Sequence, residues 1–465
     1  MKFGGSSLSD GKLIRNSSKI IQKFSKGNNL VVVVSAIGET TDNILKMINQ
    51  AIDGDEEKVK ITLNKIRINH EKAAKESISN KEYLNEAIHS ISSIFSELEK
   101  LILAITTIKE ITARSNDFIL SFGEELSSLL LEFNLKDVGL KSCRFKGGEA
   151  GIITDDFFGE ASPLMEVTKS KIRSRLTQVI QKGIIPVVSG FTGITQDGYI
   201  TTLGRGGSDY SATIIAVAIG ADEVCLWSDV DGIMTGDPRI IDNATIIPKL
   251  TYAEALEMTA FGAKAIHPRA LEPVADEKIP VKVRNTFASD LPGTLIVDDA
   301  PSKPKGIVKA LALVRDVGLI TISGAGMVGK PGTSAKIFEV IQKSKTNILM
   351  ISQSISEANI GIIVRRNALH HVTNTLEMAL LGKGVVTDII PKEDVNVIAA
   401  LGEGMRGTPG VAAKIFSSIS KKGINIIMIA QGSSELGVSF VVSEKDAEDA
   451  IRTIHEDLKL NDGAY

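Results

Sequence analysis

From residue 1 to about residue 297, short apolar runs alternate with segments whose apolar positions recur every three to four residues, which predicts a mostly parallel α/β sheet. Leu30-Val31-Val32-Val33-Val34 is apolar on both faces, as a central parallel strand must be. Ile184 to Val188 reads the same way, with Pro186 near its start, and Glu223 to Trp227 and Pro280 to Val283 give two more strands. Helices should begin at Asp10, Thr41, Thr168, Ser208, Thr251 and Pro268, several of which are capping residues ahead of a 3.6-residue period. Residues 55–110 break the alternation. There Ile88, Ile91, Ile94, Leu98, Leu101 and Ile105 share one helical face, which predicts two or three antiparallel helices inserted beside the sheet, either as packing or as a cover over a pocket.

Two prolines, polar residues and a glycine at 298–306 mark a linker. Beyond it the chain repeats itself. Gly324-Ala325-Gly326-Met327 returns as Gly402-Glu403-Gly404-Met405, Ala335-Lys336-Ile337-Phe338 as Ala413-Lys414-Ile415-Phe416, and Gln353 to Glu357 as Gln431 to Glu435, always 78 positions on. Each copy reads strand, Gly-rich turn, helix, strand, short turn, strand, helix, the core of a ferredoxin-like βαββαβ module. This places one module at 307–392 and a second at 393–465, packed side by side or against a second subunit.

The composition narrows the function. At 465 residues the chain is long enough for two to four domains, and its formal net charge of −3 gives no field suited to nucleic acid. Cys143 and Cys225 are too few for a disulfide scaffold and fit a reducing cytoplasm. No apolar run approaches the roughly 20 residues that span a bilayer, so no membrane partner is expected. Glycines follow Lys2 at once, where a secretory signal would be apolar; the first strand begins at Met1 or upstream of it. The six histidines are scattered without metal-ligand spacing.

Candidate chemistry sits at two glycine clusters. Met1-Lys2-Phe3-Gly4-Gly5 puts a lysine and a bare glycine pair on one strand end, where backbone N–H groups can approach an anion beside a full positive charge. Leu203-Gly204-Arg205-Gly206-Gly207-Ser208-Asp209 is the second cluster, and together the two suit a phosphotransferase. Ser121-Phe122-Gly123-Glu124, Asp229-Val230-Asp231-Gly232, Asp237-Pro238-Arg239, Phe261-Gly262-Ala263-Lys264 with His267-Pro268, and Arg284-Asn285-Thr286-Phe287 accompany them. In this order, and over nearly the whole chain, these motifs resemble the aspartate kinases, members of the amino-acid kinase family followed by two ACT domains.

The resemblance implies a three-layer αβα kinase domain over 1–297 and two ACT domains. It implies transfer of the ATP γ-phosphate to the β-carboxylate of L-aspartate, the step that opens the route to lysine, threonine and methionine. Lys2 would lie over the transferring phosphoryl group, with the N–H groups of Gly4, Gly5 and Ser6 as further donors, and Lys264 would serve nucleotide phosphate. Arg205 would grip a carboxylate with its planar fork, Glu124 and Asp209 would accept from the ammonium group, and Ser35, Thr41 and Ser208 would hydrogen-bond the substrate. Ser228, Asp229, Met234, Asp237 and Arg239 would form the nucleotide loop. Met234 stands where the family commonly carries an aromatic residue, and Gly236 where threonine is usual, yet methionine can still pack on a purine. Magnesium is expected on the phosphates without a dedicated cage, so no protein metal site is named.

In the first ACT copy, Met327, Val328, Gly329, Asn347, Ile348, Gln353 and Asn359 are the effector candidates, for threonine or lysine. Met405, Gly407, Asn425, Ile426 and Gln431 match them in the second copy, where Gly437 replaces Asn359. A homodimer through the ACT domains is expected, with Ile307 to Val314 pairing out of sequence order. The competing readings are a non-catalytic amino-acid sensor on a kinase scaffold and another member of the kinase family. Glutamate, acetylglutamate and uridylate kinases lack the pairing of Ser-Phe-Gly-Glu with Gly-Arg-Gly-Gly-Ser-Asp, and generally lack tandem ACT domains.

Overall fold

The computed structural model describes residues 1–261, 266–298 and 307–461. Lys264 and, apart from Asp298, the expected linker lie outside the described residues. Two compact units divide the chain: one takes residues 1–233, 248–252 and 264–298, the other 234–247, 253–263 and 299–465. Segments 234–247 and 253–263, expected in the domain at 1–297, thus group with the second unit.

The first unit begins with β1 (Lys2–Phe3), α1 (Gly11–Phe24), β2 (Val32–Val34) and α2 (Thr40–Ile52). The expected insertion is two helices, α3 (Glu56–Ser77) and α4 (Lys81–Ile108), followed by α5 (Ala113–Asp137). The chain continues through β3 (Ser142–Phe145), α6 (Gly147–Ala150), α7 (Met165–Gln181), β4 (Ile185–Ser189), β5 (Thr192–Ile194), β6 (Ile200–Thr202), α8 (Gly207–Ile219), β7 (Val224–Ser228) and β8 (Lys249–Thr251). Helix α9 (Tyr252–Ala260) follows, then α10 (Pro268–Asp276), β9 (Val281–Asn285) and β10 (Thr294–Val297). Eight strands form one sheet in the order β3-β4-β2-β1-β7-β9-β10-β8, parallel except where β10 meets β9. Val32, Val33 and Val34 are all buried, and the first and last share a core with Phe3, Trp227 and the faces of α1 to α5. Successive strand side chains point to opposite faces, so both faces of β2 are covered.

Several expected helix starts moved. Asp10 caps α1 by accepting from the Leu13 amide, as its position implies. Helix α7, however, begins at Met165, because Thr168 Oγ1 is engaged with both backbone groups of Ile153.

The second unit holds both repeats in one six-stranded sheet, ordered β12-β13-β11-β14-β16-β15. The first copy comprises β11 (Ala310–Ser323), α11 (Thr333–Lys343), β12 (Met350–Gln353), β13 (Asn359–Arg365) and α12 (Arg366–Leu380). The second comprises β14 (Asp388–Leu401), α13 (Val411–Ser420), β15 (Met428–Gln431), β16 (Gly437–Ser443) and α14 (Ala447–Asp457). Strands β11 and β14 are antiparallel over their length, so Ala310 to Val314 pair with Val397 to Leu401 while Leu319 to Ser323 pair with Asp388 to Lys392. Each long strand therefore serves both copies, and the 392/393 boundary falls inside β14. Ile240 and Ile241 are buried in the core of the second copy, beside Ile398, Phe440 and Ile454. No described helix is long and apolar enough to cross a membrane.

Candidate active site

Lys2 lies on the strand with parallel neighbours on both sides, paired with Val33 and Leu226. The residues just past the carboxyl ends of β1, β2 and β4 form a cleft of about 300 Å³, where open α/β sheets hold ligands. Lys2, Gly5, Ser35, Thr41, Glu124, Arg205, Ser208 and Asp209, all named from sequence, line it. A side chain at Gly5 would sit 2.8 Å from the Ala36 carbonyl, so the backbone approach there requires glycine. Gly4 corrects an expectation. Its N–H donates to the Trp227 carbonyl at 3.0 Å and is therefore not available to a phosphate.

Glu124 sits on α5 and is buried, with one oxygen accepting from the Ala36 amide at 3.2 Å and the other without a partner among the described residues. Burial pushes its carboxyl up to about 8, against the pull of that hydrogen bond and of the Lys2 charge. Lys2 Nζ lies 2.5 Å from an Asp209 oxygen, and both side chains are mostly buried. Asp209, expected to meet a substrate ammonium, thus pairs with Lys2. Arg205 is exposed and makes no hydrogen bond or ion pair among the described residues. Gly204 and Gly206, with φ of +74° and +73°, give the turn carrying Arg205 a left-handed path that β-carbon residues resist, and α8 starts directly after it. Its first turn holds Ser208 and Asp209.

The nucleotide candidates are less uniform. Ser228 Oγ donates to Asp229 at 3.0 Å at the end of β7. Met234, Asp237 and Arg239 belong to the second unit. There the Arg239 guanidinium grips Asp237, with Nε 2.9 Å from Oδ1, and holds that carboxyl below its usual range. Among the effector candidates, the side chain of Met327 is buried in the core of the first copy, as that of Met405 is in the second, so any ligand contact there would fall to the backbone. Val328 is exposed, as are Asn347, Gln353 and Asn359, while Ile348 is half-buried. The Gly329 amide donates to Glu357 at 2.9 Å, and Gly407 donates to Glu435 at 2.6 Å, so the repeat extends to side-chain contacts.

Three residues of the cleft region had no sequence signal. Phe191 lines the cleft with φ of +66°. Asp117 binds the Thr202 amide and Arg269 the Leu203 carbonyl. Their partners lie far away in sequence, so no local pattern could announce them.

The family model described as the amino acid kinase family matches residues 1–285, and one described as an ACT domain matches 320–380 and 398–458. Aspartokinase 1, chloroplastic, of Arabidopsis thaliana is 32% identical over 98% of this chain and 79% of its own. Bifunctional aspartokinase/homoserine dehydrogenases of the same plant and of Zea mays are about twice as long, and the chain spans about half of each. Escherichia coli aspartokinase III in complex with aspartate and ADP, an R-state structure, superposes with a TM-score of 0.82 at 27% identity, covering 98% of this chain and 99% of that one. Its T-state complex with lysine and aspartate gives 0.80 at 28% identity and 98% coverage of both.

Proposed function

The chain belongs to the amino acid kinase family and, within it, to the aspartokinases; on that footing we propose that it transfers the γ-phosphate of ATP to the β-carboxylate of L-aspartate, giving 4-phospho-L-aspartate under amino-acid control through its ACT repeats. The observation that carries this reading is the single cleft joining Lys2, Glu124, Arg205 and Asp209, with a buried Glu124 oxygen left unpartnered. Aspartate offers two carboxylates and one ammonium. Arg205, without a partner among the described residues, would supply a fork for a carboxylate, and the second Glu124 oxygen an acceptor for the ammonium.

Phosphoryl transfer leaves the protein to align two anions and to neutralise the migrating charge. In this reading Lys2 takes that role: as phosphate enters, the ammonium exchanges the Asp209 partner it has now for phosphoryl oxygens, releasing Asp209 toward the substrate. The amides of Gly5 and Ser6 add donors, and Ser35, Thr41 and Ser208 orient the acceptor. Ser228, Asp229, Met234, Asp237, Arg239 and Lys264 are assigned to the nucleotide by resemblance. Magnesium would be carried on the ATP phosphates in this reading and neutralise their charge.

Lysine or threonine is the proposed effector, bound near Val328, Gly329, Asn347, Ile348, Gln353 and Asn359. The exposed apolar side chains of Ile351 and Ile429 on the edge strands β12 and β15 support a homodimer through the regulatory sheet. Hydroxylamine trapping of the acyl phosphate tests the activity: aspartate hydroxamate should form with ATP and aspartate together and with neither alone. Lys2→Ala should cut kcat by 10³-fold or more, on the order expected for a transition-state cation, while leaving far-UV circular dichroism unchanged. Turnover within a few-fold of the parent would remove Lys2 from the reaction, and no aspartate-dependent hydroxamate would remove the reading.

A further inference from the structure

Two charged side chains outside the cleft hold the turn that presents Arg205, Ser208 and Asp209. Asp117, on α5, is fully buried. One of its oxygens accepts from the amides of Thr202 at 2.8 Å and Gly159 at 2.9 Å, and the other accepts from Thr202 Oγ1 at 2.9 Å. Thr202 ends β6 and stands three residues before Arg205. At the next residue, Arg269 of α10 donates from Nη1 to the Leu203 carbonyl at 3.0 Å, and from Nη2 to the Ala161 carbonyl at 3.1 Å and Ser162 Oγ at 3.0 Å. Its guanidinium also lies 4.7 Å from the ring of Tyr210, the residue after Asp209. His267, two residues earlier, closes on Gly206 so tightly that a β-carbon there would sit 2.3 Å from its own Cβ.

We propose that Asp117 and Arg269 are positioning residues that clamp the 203–209 turn from both ends, fixing Arg205 and Asp209 in the geometry that receives the carboxylate and ammonium of the acceptor. The proposal rests on the aspartate-kinase reading for the identity of that acceptor. A turn with two left-handed glycines has many conformations open to it, and an exposed arginine on it has more. Binding would be weakened by the cost of ordering both unless the protein had already met it. The clamp supplies that order through anchors on different elements. A carboxylate accepting three N–H and O–H bonds and a fork donating to two carbonyls and a hydroxyl are charge-assisted bonds, about twice as strong as neutral ones. Lysine cannot copy the fork and the ring stacking together.

Steady-state kinetics on Asp117→Asn and Arg269→Lys, each in the full chain, test this. The KM for aspartate should rise tenfold or more in each, with the KM for ATP within twofold of the parent. Thr202→Val keeps the Thr202 amide bond and removes only the hydroxyl, so it should give a smaller rise. Added to Asp117→Asn it should change nothing further, since both act through one carboxylate. Hydrogen exchange supplies a readout independent of turnover. Peptides over 200–210 should exchange faster in both charge variants, while those over 56–108 and 388–443 keep parental rates.

An aspartate KM within twofold of the parent together with unchanged exchange at 200–210 overturns the clamp. So does a parallel rise in both KM values with faster exchange everywhere, which marks general destabilisation. Absence of aspartate-dependent hydroxamate in the parent overturns the substrate reading alone. In that case faster exchange confined to 200–210 still supports the clamp, and unchanged exchange removes it.

Discussion

Burial holds the Glu124 carboxyl up to about 8, so at pH 7 it is mostly protonated. A substrate ammonium needs the carboxylate, so aspartate binding must expel that proton. Affinity for aspartate should therefore rise about tenfold per pH unit from pH 6 and level off above pH 8. Titration calorimetry at pH 7 in two buffers of different ionisation enthalpy should report release of about 0.9 proton per site, the protonated fraction of an acid one unit above the ambient pH. A buffer-independent heat would sink the idea. The same group sets a stability cost. An acid whose folded value is raised stabilises below its unfolded value, and that contribution is lost as pH rises toward 8. Glu124→Gln should thus lose aspartate binding yet gain roughly 2–4 kcal/mol of stability at pH 8, read as a higher Tm than the parent. At this scale the identities of Lys2, Glu124, Arg205 and Asp209 were legible because their motifs are dense. Their states were not. The unpartnered Glu124 oxygen, the Lys2–Asp209 pair and the engaged Gly4 amide all follow from neighbours distant in the chain.

Periodicity served the elements better than it served their edges. Ile91, Ile94, Leu98 and Ile105, read as one face of an inserted helix, are all buried on α4. Strand β2 is shorter than its apolar run, since Leu30 and Val31 precede its pairing with β1 and β4. What the pattern could not announce is a buried base between α3 and α4. The Nδ1 of His70 is 2.8 Å from the Ile66 carbonyl, its other nitrogen has no partner, and its ring meets Phe95 edge-on at 5.9 Å. Burial pushes the imidazole down to about 4. The unfolded chain, at the ordinary value near 6.5, then binds more protons than the folded one between pH 6.5 and 4. Stability is full above that window and falls through it by at most about 1.4 kcal/mol per pH unit, roughly 3 kcal/mol in all. His70→Leu removes the unpartnered nitrogen and the titration together. Its Tm should fall less than the parent's between pH 6.5 and 4.5; equal slopes for the two proteins would show that His70 does not set the acid limit.

At the scale of the whole molecule, the repeat and its 78-residue offset were plain in the sequence. The makeup of the second unit was hidden. Residues 227–239 read as a loop after a strand, yet from 234 on the chain groups with the second unit: Ile240 and Ile241 fill the core of the second repeat, Leu311 donates to the Thr235 carbonyl at 2.8 Å, and Arg452 Nε donates to the Ile240 carbonyl at 2.8 Å. Packing across more than 200 positions leaves no local trace. The same holds for the buried ion pair of that unit. Lys309 Nζ lies 2.7 Å from one oxygen of Glu254, whose other oxygen accepts from the Glu403 amide at 2.8 Å, and both side chains are almost fully shielded from water. Glu254 thus joins α9, the strand entering the first repeat and the Gly-rich turn of the second. Charges so placed cost much when one partner is removed and little when both are neutralised. Lys309→Met should destabilise the second unit by about 3–5 kcal/mol, the usual cost of removing one member of a buried ion pair. Glu254→Gln combined with Lys309→Met should recover most of that loss, since the amide oxygen still accepts from Glu403 and no charge remains. Hydrogen exchange of peptides over 395–420, followed through urea unfolding, separates this unit from the first. A Lys309→Met variant with protection within 1 kcal/mol of the parent, or a double variant no better than the single, would mean that the pair is not what ties these three segments together.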